Sequence, residues 1–412
     1  MKAKIGANRS IKGRNVDHEM SIAIVYERSE TDEMGIKLTA EKLGINLIYI
    51  PFRKVAIGFS ENGYNFKSTG KNYSKTIAAV DVVLNRAQSK NRRLVAAQIF
   101  ETLGKPVINT SQVEFSCYSK LRTLLRFWKA GIKIPKTVYV PCDPHEPTKD
   151  GTKISNKKEI AELVQEELGN KDIVIKPDAG SHGTGVKLAK GKDDLLKIIN
   201  QVEPSIINPI GVLSQELVQK WFYDLRIIVI KEYGKPPYCY PKAMARTGFK
   251  EFRTNAALGN MCFDVDLPSY IREIATGCGD ALGDKSDAWV IALDAMINLG
   301  DNKIVDDQYL ESELEKIAPF FNVITRVKRD KTKKINFKAW NTKVEQAFQN
   351  YKSTKPYENI RNIIQESMER NKRSVLFHEA NSCPEFWEQT RLITGINLAE
   401  PLLRCAKSIV YA

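Results

Sequence analysis

The stretch from Ser21 to Asn109 changes period repeatedly. SIAIVY is an apolar run of strand length, DEMGIKLTAEKLG has helical spacing and a terminal glycine, and INLIYIPF returns to strand length. The order then repeats: AAVDVVLNR reads as a strand, RRLVAAQIFETLG as a helix stopping at Gly104, and KPVIN as a strand. Parallel strands need a helical crossover, so this alternation predicts a small parallel α/β domain over residues 20–115. It contains no GxGxxG, so a Rossmann-type dinucleotide site is not expected.

The pattern loosens further along. SKLRTLLRFWKAG, NKKEIAELVQEELG and KDDLLKIINQV read as helices, and IPKTVYV, KDIVIKP and VKLAK as strands. They predict a second α+β unit over 116–212. Longer apolar runs follow in GVLSQELV, DLRIIVIKEYG, YCYPKAMAR, AWVIALDAMINL and SVLFHEANS, the strands expected of a larger sheet. SYIREIATGCGDALG and NLAEPLLRCAKSIV have the spacing of helices packed on it. Residues 301–374 interrupt this order. They are polar and helix-prone, and they carry the basic run RVKRDKTKK.

At 412 residues the chain predicts two or three domains. No stretch approaches the roughly 20 apolar residues of a membrane helix. The start, MKAKIGANRSIKGRNVDHEM, is basic with no apolar segment behind it, so residues 1–19 are expected to be a tail rather than a secretory leader, and the chain cytoplasmic. Seven cysteines, an odd number without a CxxC, argue against a disulfide framework or a structural zinc site. The net charge of +14 (63 minus 49) favours anionic partners such as nucleotides, acidic peptides or nucleic acid, and also serves plain solubility.

The chemistry concentrates in a few stretches. In KPDAGSHGTGV, residues 176–186, Gly180, Gly183 and Gly185 let backbone N–H groups approach an anion, and Ser181, His182 and Thr184 add donors. In a P-loop such a segment opens a helix. Here an alternating strand follows, so the loop is expected to be a hairpin lid over phosphates, with Lys176 beneath it, or else a plain turn. Glu216 ends one strand, and Asp224 and Arg226 lie on the next. KAMARTGFKEFRTNAALGN places Arg246, Arg253 and Asn255 among small residues. Asp294 sits inside WVIALDAMI, and Glu379 and Asn381 lie in VLFHEANSCP. A carboxylate in an apolar strand is costly unless it is paired or bound to a metal. Oxygen ligands of this kind suit Mg²⁺ with substrate phosphates, and a core ion pair is the other reading.

Taken in order, these segments are similar to one family. VLNRAQSKNRRLVAAQIFETLGKPVINT, SKLRTLLRFWKAGIKIPKT, KPDAGSHGTGV, YDLR, AMAR, FRTNAALG, ALD, HEANSCPEF and TGINLA resemble the ATP-grasp enzymes, most of all the RimK-like glutamate and amino-acid ligases. The resemblance runs from about residue 20 to 410. It implies three subdomains, 20–115, 116–212 and 213–412, with ATP between two antiparallel sheets. It implies that Lys120 and Lys176 hold phosphates under the Gly180–Gly185 lid, and that Glu216, Leu217 and Asp224 line the adenine and ribose cleft. Arg253, Thr254 and Asn255 would approach phosphates and metals. Asp294, Glu379 and Asn381 would bind two Mg²⁺ or Mn²⁺ ions. Arg246 would meet the carboxylate substrate and the acyl-phosphate made from it, on the way to an amide with an amine acceptor. That acceptor could be an acidic peptide or protein, and a homo-oligomer is compatible.

The chain also departs from the family. Asn260 follows Gly259 where a second glycine is usual, and about five extra residues surround YGKPPYCYP. Asp294 and Glu379 are 85 positions apart (379 minus 294) instead of being joined by a short turn, which marks 301–374 as an insertion at the sheet edge. A non-catalytic ATP-binding regulator and a nucleic-acid-associated basic protein are the competing readings at this stage.

Overall fold

The computed structural model describes residues 20–410, apart from 29, 143, 145–155, 170, 181–182, 203–204, 206–210, 249–252 and 255–259. The basic tail 1–19 therefore lies outside the described residues, as do Ser181, His182 and Asn255.

The first sheet is parallel, in the order Asn46–Pro51, Ser21–Tyr26, Val82–Asn85, Val107–Ile108. Its strands are apolar on both faces because helices cover both, as the alternation in sequence requires. Thr31–Lys42 and Lys90–Thr102 are the two longer helices of this region. Two features differ from the sequence reading. Ala78 and Ala79 end a helix, Ser74–Ala79, and do not begin a strand. A three-stranded antiparallel extension, Ala56–Ser60, Gly63–Ser68 and Lys71–Asn72, stands beside the parallel sheet.

The second sheet is antiparallel, in the order Lys187–Ala189, Ile173–Lys176, Val212–Glu216, Thr137–Val140. Helices Asn156–Leu168 and Lys192–Ile199 pack on it. Ile160, Val164, Ile175, Leu195 and Val212 form its own core.

The third sheet is also antiparallel. Its order is Cys262–Asp266, Lys242–Thr247, Tyr223–Lys231, Trp289–Ile297, Val375–Asn381, with Tyr238–Cys239 paired to one end of the 223–231 strand. One large apolar cluster joins this sheet to the first region, running from Ile22 and Ile36 to Leu225, Leu293 and Phe377.

The 301–374 stretch folds as three helices, Asp307–Lys328, Phe337–Lys352 and Lys355–Asn371. They wrap the edge strand Cys262–Asp266 and the back of the third sheet. Phe263 stacks against Tyr357 and Tyr351 at centroid distances of 5.0 and 6.0 Å. The Tyr223 and Ser367 hydroxyls share a hydrogen bond of 3.1 Å. Tyr223 points away from its neighbour Asp224, as alternation along a strand demands, so the insertion lies mainly opposite the face that carries the chemistry. The same packing shields the backbone of an edge strand that would otherwise offer itself to other chains.

Candidate active site

The front of the third sheet carries a row of alternating charges. Asp224 and Arg226 share a face because they are two residues apart on one strand. Register places Asp224 opposite Arg246 on one neighbour and Arg226 opposite Asp294 on the other, with Glu379 next in line. Arg246 grips Asp224 through Nε and Nη2, at 2.7 and 2.8 Å. Arg226 grips Asp294 in the same two-pronged way, at 2.9 Å each. Arg246 Nη2 also lies 3.2 Å from Asp294. Burial works to raise the Asp294 carboxyl, but Arg226 and Arg246 outweigh it and hold it well below the usual range. Burial likewise opposes Glu379, and Lys120 and Lys90 reverse that, so its carboxyl is also lowered. Both groups are anions at neutral pH.

The partner strand bulges at this point. Asp294 faces Glu379 but Ala295 faces Phe377, so His378 is the extra residue. A bulge breaks strict alternation, and His378 and Glu379 both line the cleft between the second and third sheets. Burial first, and Lys176 next, push the His378 imidazole down to about 4. Neither of its ring nitrogens has a hydrogen-bond partner.

The second sheet supplies the opposite wall. Lys176, the last residue of its strand, and Lys120, the first residue of helix Lys120–Lys129, meet there. Lys120 Nζ donates to the Gly180 carbonyl at 2.8 Å and lies 3.6 Å from Glu379. Asp178 ties the helix start to the hairpin, accepting from Lys120 N at 2.8 Å through its carbonyl and from Leu121 N at 2.9 Å through its carboxylate. Burial pulls the Lys176 ammonium down to about 8, reinforced by Lys120 and Lys220 against Glu379. Over these lysines runs the glycine hairpin, joining antiparallel strands as its alternation predicts. Gly183 and Gly185 have φ of +70° and +73°, and a Cβ at Gly185 would lie 2.7 Å from Pro177 Cγ. Only glycine fits there.

Glu216, Leu217, Arg253 and Thr254 line the same cleft, together with Lys220 and Met296. The Thr254 hydroxyl donates to Asp224 and accepts from Lys220 Nζ, the latter at 2.8 Å. Asp224 therefore braces Arg246 and Thr254. Asn381 lies apart from the cleft, on the wall of a neighbouring cavity that shares Arg246, Asp294 and Glu379 with it. Of the residues singled out from sequence, Ser181, His182 and Asn255 cannot be placed, because they fall outside the described residues. The others meet at this junction.

The neighbouring cavity, about 650 Å³, lies between the first region and the third sheet. Arg86 and Arg93 hold these two parts together. Arg86 pairs with Asp32 at 2.9 Å and donates to the Pro384 carbonyl at 3.3 Å, while Asp32 accepts from the backbone N–H of Phe386 and Trp387. Arg93 pairs with Glu114 at 2.7 Å and reaches Ser382. Lys328, from the last turn of the first insertion helix, lines the same cavity and pairs with Glu388 at 3.2 Å.

Sequence reasoning gave no role to Arg226, Lys220, Lys90, His378 or Lys328. The two-residue spacing from Asp224 was a usable signal for Arg226 alone.

Two antiparallel sheets closing on paired lysines and carboxylates under a glycine hairpin define the ATP-grasp fold. The comparisons agree. Residues 22–114 match the family model of the LysX preATP-grasp domain, and residues 145–318 that of the RimK-like ATP-grasp domain. The alpha-aminoadipate–LysW ligase LysX of Sulfurisphaera tokodaii is 28% identical over 268 residues, 64% of this chain and 82% of the relative. The glutamate–LysW ligase ArgX of Sulfolobus acidocaldarius is 23% identical over 236 residues, 57% and 75% of the two chains. A Chryseobacterium gregarium RiPP-associated ATP-grasp ligase, solved with ADP and a leader and core peptide, has the same fold, with a TM-score of 0.53 at 13% identity, covering 94% of this chain and 97% of that one. D-alanyl-alanine synthetase A of Vibrio cholerae also gives 0.53, at 10% identity over 96% and 99%. This chain belongs to the RimK-like ATP-grasp ligases, enzymes that form carbon–nitrogen bonds.

Proposed function

We propose that this enzyme joins the carboxylate of an amino acid or peptide to an amine on a peptide, a protein or a small molecule, through an acyl-phosphate, with release of ADP and phosphate. The observation that carries the reading is the Asp294–Glu379 cross-strand pair, which faces Lys120 and Lys176 beneath the glycine hairpin and opens on its other side into the charged 650 Å³ cavity. One side suits a nucleotide and the other an acid and an amine.

The residues fit a divalent cation that is also bound by phosphate. Asp294, Glu379 and Asn381 offer oxygen donors on adjacent strands, and the Asn381 amide nitrogen is buried without a partner. Among the described residues no cluster of three His, Cys, Asp or Glu side chains forms a metal cage. A set of two carboxylates and an amide, completed by substrate oxygens, is the arrangement Mg²⁺ favours. When bound, MgATP would supply the phosphoryl group that turns a carboxylate into an acylating agent. Lys120 and Lys176 would hold phosphates. Arg246, braced by Asp224, would stabilise the oxyanion as the amine attacks. The hairpin would exclude water from an intermediate that hydrolyses readily.

The cleft between the sheets holds about 90 Å³. Ligand pockets typically run to roughly 300 Å³ or more, so nucleotide binding requires the sheets to part. The second sheet has a core of its own, whereas the first region and the third sheet share one. This supports the second sheet and its two helices as the moving unit, and the first region and third sheet as the base, together with helix Lys120–Lys129, whose Phe127 packs against Phe377 in the shared core.

The relatives named as LysW ligases favour a protein or peptide as one substrate. The insertion favours an acidic one, because its basic turn, with Arg329, Lys331 and Lys334 exposed, continues from the Lys328 that lines the cavity. The test is ADP release by purified protein with Mg²⁺ and pools of amino acids and peptides, followed by mass spectrometry of the products. The reading predicts turnover stimulated by an acid–amine pair and abolished in Lys176→Ala. Equal turnover by Lys176→Ala, or none with any pool, overturns it.

A further inference from the structure

Histidine 378 is unexplained by the ligase chemistry above. It is the extra residue of the bulge beside Asp294, and the bulge turns it into the cleft next to Glu379. Both ring nitrogens are sealed from solvent, and neither has a hydrogen-bond partner. A buried polar group without a partner is destabilising, and few natural structures keep one without a use for it. An apolar side chain would fill the position at lower cost. The groups around the imidazole are Lys176 on the opposite sheet, Asp294 and Asp224 on its own sheet, and Glu379 beside it in the chain. It lines the cleft with the lysines and is absent from the wall of the 650 Å³ cavity, so it faces the nucleotide side of the junction.

We propose that His378 is a nucleotide-binding residue that donates a ring N–H to the polyphosphate once the sheets part. This rests on the nucleotide occupying the cleft between the two sheets. His378 and Lys176 line the same cleft from facing sheets, so a phosphate chain gripped by Lys176 would run along the wall that carries the imidazole. An imidazole in either protonation state carries at least one N–H for a phosphate oxygen. The closed cleft leaves that donor unsatisfied, and the bound state satisfies it.

The test is calorimetric binding of Mg·ADP and of adenosine to the wild type, His378→Leu and His378→Gln. Removing a hydrogen bond to a charged group weakens binding about tenfold or more. The expected result is that loss for ADP in His378→Leu, unchanged adenosine binding, and recovery to within about threefold in His378→Gln, which restores an N–H donor. A melting temperature of His378→Leu at or above wild type without nucleotide would accompany it. ADP affinity equal to wild type in His378→Leu overturns the proposal and leaves the imidazole a structural residue. Should His378→Leu fail to fold, the sequence's four histidines make ¹⁵N-imidazole spectra simple to read. ADP must then shift the His378 resonance, assigned with His378→Gln, and an unmoved resonance is contradictory. Absence of ADP binding by the wild type would instead overturn the placement of the nucleotide itself.

Discussion

Lys176 shows what a ligand-gripping residue costs the free protein. Its ammonium is held by burial at about 8, against an ordinary 10.5. Between these values the folded chain has released a proton that the unfolded chain still binds, so stability rises with pH across that window. Lys176→Met removes the buried charge. The variant is predicted to melt higher than wild type at pH 7 without nucleotide, to lose the wild type's relative gain between about pH 8 and 10, and to show no thermal shift with ADP. Urea midpoints at several pH values check this; a variant with the same pH slope as wild type contradicts it. Much at this scale was legible in sequence. A charged residue inside an apolar strand, as at Asp294, is conspicuous because burying it is costly. The role of His378 was not legible, because strict alternation puts it on the face opposite Glu379 and only the bulge turns it inward. Asp224 was read as a cleft residue, and its part in bracing Arg246 appears only once strand register is known.

At the scale of elements, the glycine hairpin carries the argument. Its backbone at Gly185 is left-handed and its Cβ position is closed by Pro177. Gly185→Ala must therefore shift the hairpin, at a cost of roughly 1 kcal/mol or more. The predicted outcome is a rise in the KM for ATP of about tenfold, since lid closure is coupled to phosphate binding, with the melting temperature lowered by only a few degrees. Steady-state kinetics and thermal melts check it, and an unchanged KM contradicts it. Long apolar or clearly periodic segments, such as Trp289–Ile297 and Ser269–Gly283, were legible as elements because tertiary burial and periodicity agree in them. The extension spanning Ala56 to Asn72 was not, because its strands are too short to show a period: KN has two residues, glycine interrupts AIGFS and opens GYNFKS, and the alternation in GYNFKS rests on Tyr64 and Phe66 alone. Nor was Cys262–Asp266, a short strand whose partner, Lys242–Thr247, lies well before it in the chain.

For the whole molecule, the question is what the insertion adds. Sequence marked its limits and a place at the sheet edge, but not the strand it packs on, since nothing local says that Tyr351 and Tyr357 stack on Phe263 far away in the chain. That packing means the insertion is part of the core, and deleting it would unfold the sheet edge rather than report on function. Reversing Arg329, Lys331 and Lys334 to Glu is the cleaner test, because all three are exposed. An acidic acceptor predicts a KM for that acceptor raised at least about tenfold at low salt, with the effect shrinking as salt rises. ADP affinity and melting temperature should stay as in wild type. An unchanged acceptor KM would assign the basic turn to solubility.

The central claim is that a divalent cation joins a nucleotide to Asp294, Glu379 and Asn381 in the junction between the two antiparallel sheets. A crystal structure with Mn²⁺ and ADP, read by the anomalous signal of manganese, tests it most directly. The prediction is a manganese peak about 2.0–2.5 Å from oxygens of Asp294, Glu379 and Asn381, the range of hard-cation ligation, with Arg226 drawn off Asp294 and the phosphates beneath Gly180–Gly185. Manganese elsewhere, or ADP outside the two sheets, would contradict it.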